Sequence, residues 1–181
     1  MRCYHRRHLA IRVDILRLIA ARRTRRPVRL LPELDALFQR LAAIRETDEI
    51  RTTEDRIWDL WMFHPHRAAA EVLDRATGDI AARPYDIAET RLTALLRSAP
   101  DFAEAWHKRA TLYYLLGRDE ECLADIRRTL ELEPRHFAAM MHFAEILLGG
   151  GASADARYTL VSALALHPHL ERAREILSDK P

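Results

Sequence analysis

Histidine is the side chain that titrates near neutrality and so serves as base, acid or metal ligand, and this chain holds nine. Four stand in two pairs across a proline, His64 and His66 in "HPHR" and His167 and His169 in "HPHL". Two imidazoles on one extended tripeptide supply half of a tetrahedral zinc site, and no spacing suggests where the other two ligands would come from. His107, His136 and His142 would need a nucleophile and an orienting acid within hydrogen-bond reach to catalyse anything, and no nucleophile motif is present. The "GGGAS" at 149–153 follows a helical pattern rather than a strand and lacks the Lys-Ser or Lys-Thr that completes a phosphate loop; it reads as a hinge. Cys3 and Cys122 are the only cysteines, which supports neither a disulfide framework nor a metal knuckle. The expectation is therefore a protein without catalytic residues, metal or cofactor, and not an enzyme.

The prolines carry more information than the histidines beside them. Pro65, Pro100, Pro134 and Pro168 are almost evenly spaced, and the last two intervals are identical. Sliding 103–136 onto 137–170 lays Trp106 on Met140, Ala110 on Ala144, Tyr113 on Leu147, Gly117 on Gly151 and Cys122 on Ala156. Large residues meet large ones and small meet small. Trp106, Ala110, Tyr113 and Gly117 share one helical face, as do Cys122, Ile126, Thr129 and Leu130 on the next helix, so each helix has an apolar stripe to bury. Gly117 can take the left-handed conformation that ends the first helix, and Asp119 is placed to cap the second. Pro134 turns the chain out of helical geometry. On this reading the four proline-flanking histidines are exposed turn residues, Trp58, Trp61 and Trp106 lie on packing stripes, and Cys122 is a small core residue.

These positions resemble the tetratricopeptide repeat, whose 34-residue unit has a large residue at position 4, small ones at 8 and 20, a large one at 11 and proline at 32. Arg109 departs from the pattern at position 7, where an apolar residue is usual. The stretch "PDFAEAWHKRATLYYLLGRDEECLADIRRTLELEPRHF" further resembles a group of small bacterial proteins with this repeat, over roughly residues 54–168. The resemblance implies an all-α fold, a right-handed α-solenoid of antiparallel helix pairs, and no catalytic activity. The expected organisation is a basic extension over 1–31, helical or disordered, followed by a helical domain over 32–181. That domain comprises a degenerate repeat at 32–67, repeats at about 69–102, 103–136 and 137–170, and a final helix at 170–178.

Charge is unevenly distributed. Residues 1–31 hold ten arginines and the single acid Asp14, a net of +9, so the whole-chain charge of +2 leaves −7 on residues 32–181. No run reaches the roughly 18–20 apolar residues a membrane span requires. "LAIRVDILRLIAA" follows a basic start as a signal peptide's apolar region would, but Arg12, Asp14 and Arg17 interrupt it and no small-residue cleavage site follows; the compartment stays open, with the cytoplasm the default from this start and export to the periplasm the alternative if the true N-terminus is a signal peptide.

The resemblance also implies a concave face lined by repeat positions 2, 5, 9 and 12 of each first helix. These positions are Glu71, Asp74 and Ala81, then Glu104, His107, Thr111 and Tyr114, then Ala138, Met141, Glu145 and Leu148. Relatives that grip a C-terminal carboxylate use Lys and Asn at positions 5 and 9, where this chain has His107 with Thr111 and Met141 with Glu145. Four acids facing one histidine, with Tyr114, Met141 and Leu148 between them, suit a basic, partly apolar peptide. The expected function is a protein-interaction scaffold holding such a peptide. The alternative from another class is a binder of nucleic acid or an anionic membrane surface through the arginines of 1–31.

Overall fold

A computed structural model describes residues 2–29 and 32–178 of the chain. Leu31, the last residue of the expected extension, lies outside the described residues, as do the side chains of Cys3 and Tyr4. The described residues form ten helices and no strand: α1 (Arg2–Ala21), α2 (Pro32–Ala43), α3 (Thr47–Met62), α4 (Arg67–Ala82), α5 (Tyr85–Ser98), α6 (Ala103–Leu115), α7 (Asp119–Leu132), α8 (Phe137–Gly149), α9 (Ser153–Leu164) and α10 (Glu171–Ser178). The starts of α8 and α9, Phe137 and Ser153, follow those of α6 and α7, Ala103 and Asp119, by one and the same repeat length. Helices adjacent in sequence pack as pairs, α4 with α5, α6 with α7 and α8 with α9, the arrangement of a helical-repeat fold.

The punctuation between helices is local chemistry. Ala99 and Glu133, each followed by a proline, leave the helical region, with φ/ψ of −134°/68° and −130°/94°. Gly117 and Gly151 take φ of 67° and 72°, and at both the same two bonds close the helix end. Gly117 N–H donates to Tyr114 O and Arg118 N–H to Tyr113 O; Gly151 N–H donates to Leu148 O and Ala152 N–H to Leu147 O. The triple glycine thus holds a helix stop that recurs from one repeat to the next, and is not the hinge its composition suggests. Asp119 is the first residue of α7 and not its cap: the N-cap is Arg118, without a side-chain hydrogen bond. Asp119, Glu120 and Glu121 instead place negative charge on the first turn, where the helix dipole favours it.

The chain divides into two compact units, each drawn from two stretches. The first joins the residues up to Arg29 with Trp61–Pro134, and the second joins the stretch ending at Leu60 with Arg135 onward. In the first unit α4, α5 and α6 bury Leu73, Leu92, Leu95, Phe102 and Leu112 against one another, with Met62 and Trp106 packed on the edge. Each such leucine contributes about 1.5–3 kcal/mol. α1 is part of this unit, packed against α7 with Ile15 and Ile19 buried. In the second unit Ala144, Leu160 and Ala173 hold α8, α9 and α10 together, and Met141, Leu164 and Ile176 pack around them. No helix among the described residues is long and apolar enough to cross a membrane.

Candidate functional site

The two histidine pairs share one geometry, and in each the first ring, His64 or His167, is buried rather than an exposed turn residue. In the first unit His64 Nδ1 accepts the backbone N–H of His66 at 3.1 Å, and its ring stacks on Phe102 with 4.7 Å between centroids. Its Nε2 faces Asp101 at 3.9 Å. In the second unit His167 Nδ1 accepts the backbone N–H of His169 at 3.2 Å, and its Nε2 is hydrogen-bonded to Glu54. An accepting Nδ1 leaves the proton on Nε2, so each ring points its N–H toward a carboxylate. His64 and His167 are 5% and 0% exposed. Proline between the two histidines preorganises the tight turn that this bond closes. Burial pushes both imidazoles below the usual histidine pKa, assisted at His64 by Arg29 and opposed at His167 by Glu54. His66 is exposed, while His169 is half-buried and donates from Nε2 to Leu41 O at 3.0 Å. His136 caps α8, its Nδ1 accepting the N–H of Ala139 at 3.2 Å.

Aromatic side chains complete the second cluster. Phe137 meets Phe38, Trp58 and His167 edge to face, with centroids 6.4, 6.0 and 4.8 Å apart. Arg135 pairs with Asp35 and lies over Phe38 at 5.3 Å. Trp61 is buried, whereas Trp58 and Trp106 are half-buried, and the Trp106 indole N–H donates to Pro100 O at 3.0 Å.

Arg109 explains its own departure from the repeat pattern. It grips Asp125 of α7 with two bonds, 2.7 and 2.9 Å, reaches Thr93 of α5 at 3.3 Å and lies between the rings of Trp106 and Tyr113. Tyr113 in turn donates to Glu89 at 3.2 Å, and Glu89 receives Arg118 at 2.9 Å. One cation thereby ties three successive helices. Burial raises the Asp125 pKa against the opposing pull of Arg109.

Of the residues expected to line a binding face, Glu71 and Asp74 on α4 are exposed, as is Tyr114 on α6 at 36%. Glu104 and His107 are buried, and the Glu104 carboxylate meets Lys108 at 3.1 Å and His107 Nδ1 at 3.3 Å. Thr111 is half-buried and donates to His107 O. In the second unit Met141 and Glu145 on α8 are half-buried and Leu148 is 38% exposed. A cleft of about 350 Å³ opens elsewhere in the first unit, between the start of α4 and the end of α5, lined by His66, Ala69, Val72, Leu95 and Ser98.

No family model matches the chain. A curated protein from Rhizobium etli (strain ATCC 51251), named as TPR repeat-containing, is 30% identical over 118 residues, which is 65% of this chain and 58% of the relative. The chain thus spans less than two thirds of the curated relative it matches. The relative and the ten helices among the described residues point the same way. The chain fits a tetratricopeptide-repeat protein.

Within that repeat type, positions 2 and 5 of α6 are spent on an internal Glu104–His107–Lys108 cluster, while position 12 is open in both units, at Tyr114 and Leu148. Residue types alone missed Leu115 and Leu116, which are exposed beside Tyr114 because Gly117 ends the helix before they can turn inward. They also missed Tyr158 and Val161, exposed three residues apart on α9. The signal for the latter was a helix apolar on two faces.

Proposed function

We propose that this chain is a protein-interaction scaffold with no catalytic chemistry of its own, which binds a basic and partly apolar peptide through side chains of its first helices. The observation that carries this reading is the pair Tyr114 and Leu148. They occupy the same position in successive repeats, and both leave a large side chain partly exposed, 36% and 38%, within helix pairs that bury their other stripes. Acids accompany each of them in its own unit, Glu71 and Asp74 in the first and Glu145 in the second, which supports a cationic ligand. The tetratricopeptide type is generally non-catalytic, and the buried His107 is engaged by Glu104.

Fluorescence anisotropy of the full chain against a library of basic amphipathic peptides tests the reading. Tyr114→Ala and Leu148→Ala should each weaken the best peptide by about tenfold, and Glu145→Lys should slow its association at low salt. Affinity unchanged in all three variants, or a library without a binder, would overturn it.

A further inference from the structure

The segment 22–29, "RRTRRPVR", contains five arginines and no acid. It lies in the first unit and donates, from one main-chain N–H and two guanidinium groups, to main-chain carbonyls at the C-terminal ends of two helices. Val28 donates its backbone N–H to Leu132 O at 2.8 Å, Arg25 donates to Glu131 O at 3.0 Å, and Arg29 donates to Phe63 O at 2.8 Å. The last carbonyls of a helix have no intrahelical partner and carry the negative end of its dipole, so arginine is well suited to them.

A carbonyl is nevertheless a dipole and not a charge. These bonds hold the segment in place and leave its positive charge largely standing. The Glu131 carboxylate is occupied by Arg127 at 3.8 Å and Arg128 at 3.0 Å, and the acid facing Arg29 is Asp101. Arg23 and Arg26, which alternate with the anchored arginines, are exposed. Two large apolar side chains are exposed in the same unit, Val28 at 58% within the segment and Phe63 at 53%, and the Arg29 guanidinium lies 5.8 Å from the Phe63 centroid.

We propose that Arg23, Arg26, Val28 and Phe63 form a docking surface for a membrane bearing anionic lipid headgroups, with the arginines on the phosphates and the two apolar side chains at the headgroup–acyl boundary. Each arginine near such a surface adds about fivefold to binding. Nucleic acid would use the arginines equally well but gain nothing from Val28, and Phe63 is a single ring already flanked by Arg29 rather than a run of stacking platforms. The docking surface is independent of the peptide-binding side chains, so each reading can fail without the other.

Sedimentation of the full chain with vesicles tests the inference, using phosphatidylcholine alone and phosphatidylcholine with roughly one third phosphatidylserine at about 0.1 M salt. The chain should bind the anionic vesicles and not the neutral ones. The Arg23→Ala, Arg26→Ala double variant should bind about 25-fold more weakly. Val28→Ser with Phe63→Ser should weaken vesicle binding several-fold while leaving the affinity for a short DNA duplex unchanged. All four side chains are exposed, so circular dichroism and melting should match the parent, and the arginine and apolar pairs report separately if one destabilises the fold. Absence of binding to anionic vesicles, equal binding to neutral ones, or an equal loss of DNA and vesicle binding in the apolar variant would overturn it; the last result would reassign the patch to polyanions in general.

Discussion

The Nδ1 of His167 accepts the backbone N–H of His169, two residues on, across Pro168, at 3.2 Å. The bond closes the turn after α9 and commits the ring's other nitrogen to Glu54 of α3. His167→Ala removes both interactions from a fully buried position and leaves the Glu54 carboxylate with less compensation. It should cost about 1–3 kcal/mol. His169→Ala keeps its own N–H in the turn and loses the bond to Leu41 O, so it should cost less. Urea unfolding midpoints of the two variants check the order.

Acid should destabilise the fold through the same rings. His64 and His167 both have folded-state pKa values below the ordinary 6.5, with burial as the largest cause. A base whose folded pKa is depressed binds more protons unfolded than folded, so its stability is complete above pH 6.5 and is lost as pH falls below it. Each titrating ring adds a slope of up to about 1.4 kcal/mol per pH unit in that window. Unfolding free energies measured from pH 7.5 down to pH 5 should fall, and the fall should flatten in the His64→Gln, His167→Gln double variant.

Elements set by local chemistry were legible, and those set by distant partners were not. Pro100 and Pro134 end helices through the residue before them, and Gly117 and Gly151 through their own φ, so the repeat period could be read without knowing any contact. The burial of His167 and the role of His169 depend on Glu54 and Leu41, 113 and 128 residues earlier, and no local pattern couples such separations. Repeat register assigned Glu104 and His107 to a binding face, but both are buried, and the register gave no sign of the Glu104–His107–Lys108 cluster that occupies them. Arg109 looked like an error in the pattern until Asp125 and Thr93, each 16 residues away, supplied its partners.

Breaking the Arg109–Asp125 pair should hurt more than replacing it. The two side chains are 15% and 4% exposed, so Arg109→Met leaves a carboxylate buried without its cation and should cost about 3–5 kcal/mol. Adding Asp125→Leu removes the stranded charge and should recover most of that loss. A double-mutant cycle by urea unfolding measures the coupling. A double variant no more stable than Arg109→Met would count against an electrostatic origin.

Cys122 should be chemically silent in the folded chain. It is fully buried, and burial together with Asp119 and Asp125 pushes its thiol up to about 12, so almost no thiolate exists at pH 8. In a Cys3→Ser background, labelling by a thiol-specific disulfide reagent should proceed only at the rate of local or global unfolding and should accelerate with urea. Prompt labelling in native buffer would contradict the packing of α6 on α7.

Two glycines of the tract that ends α8, Gly149 and Gly151, should separate cleanly under substitution. Gly149 is the last residue of the helix, has no positive φ, and a Cβ there meets nothing within 4 Å. Gly149→Ala should therefore be neutral or stabilising by up to about 1 kcal/mol, since alanine loses less backbone entropy on folding. Gly151 also has open space around it, but its φ of +72° is a conformation that disfavours any Cβ. Gly151→Ala should cost about 1–2 kcal/mol, and Gly117→Ala, at φ +67° after the same pair of closing bonds, should cost the same. Thermal melts of the three variants decide between two readings of the tract. Equal, small effects at Gly149 and Gly151 would mean a flexible hinge, whereas the predicted contrast, with Gly151 matching Gly117, would mean a helix stop inherited from the repeat.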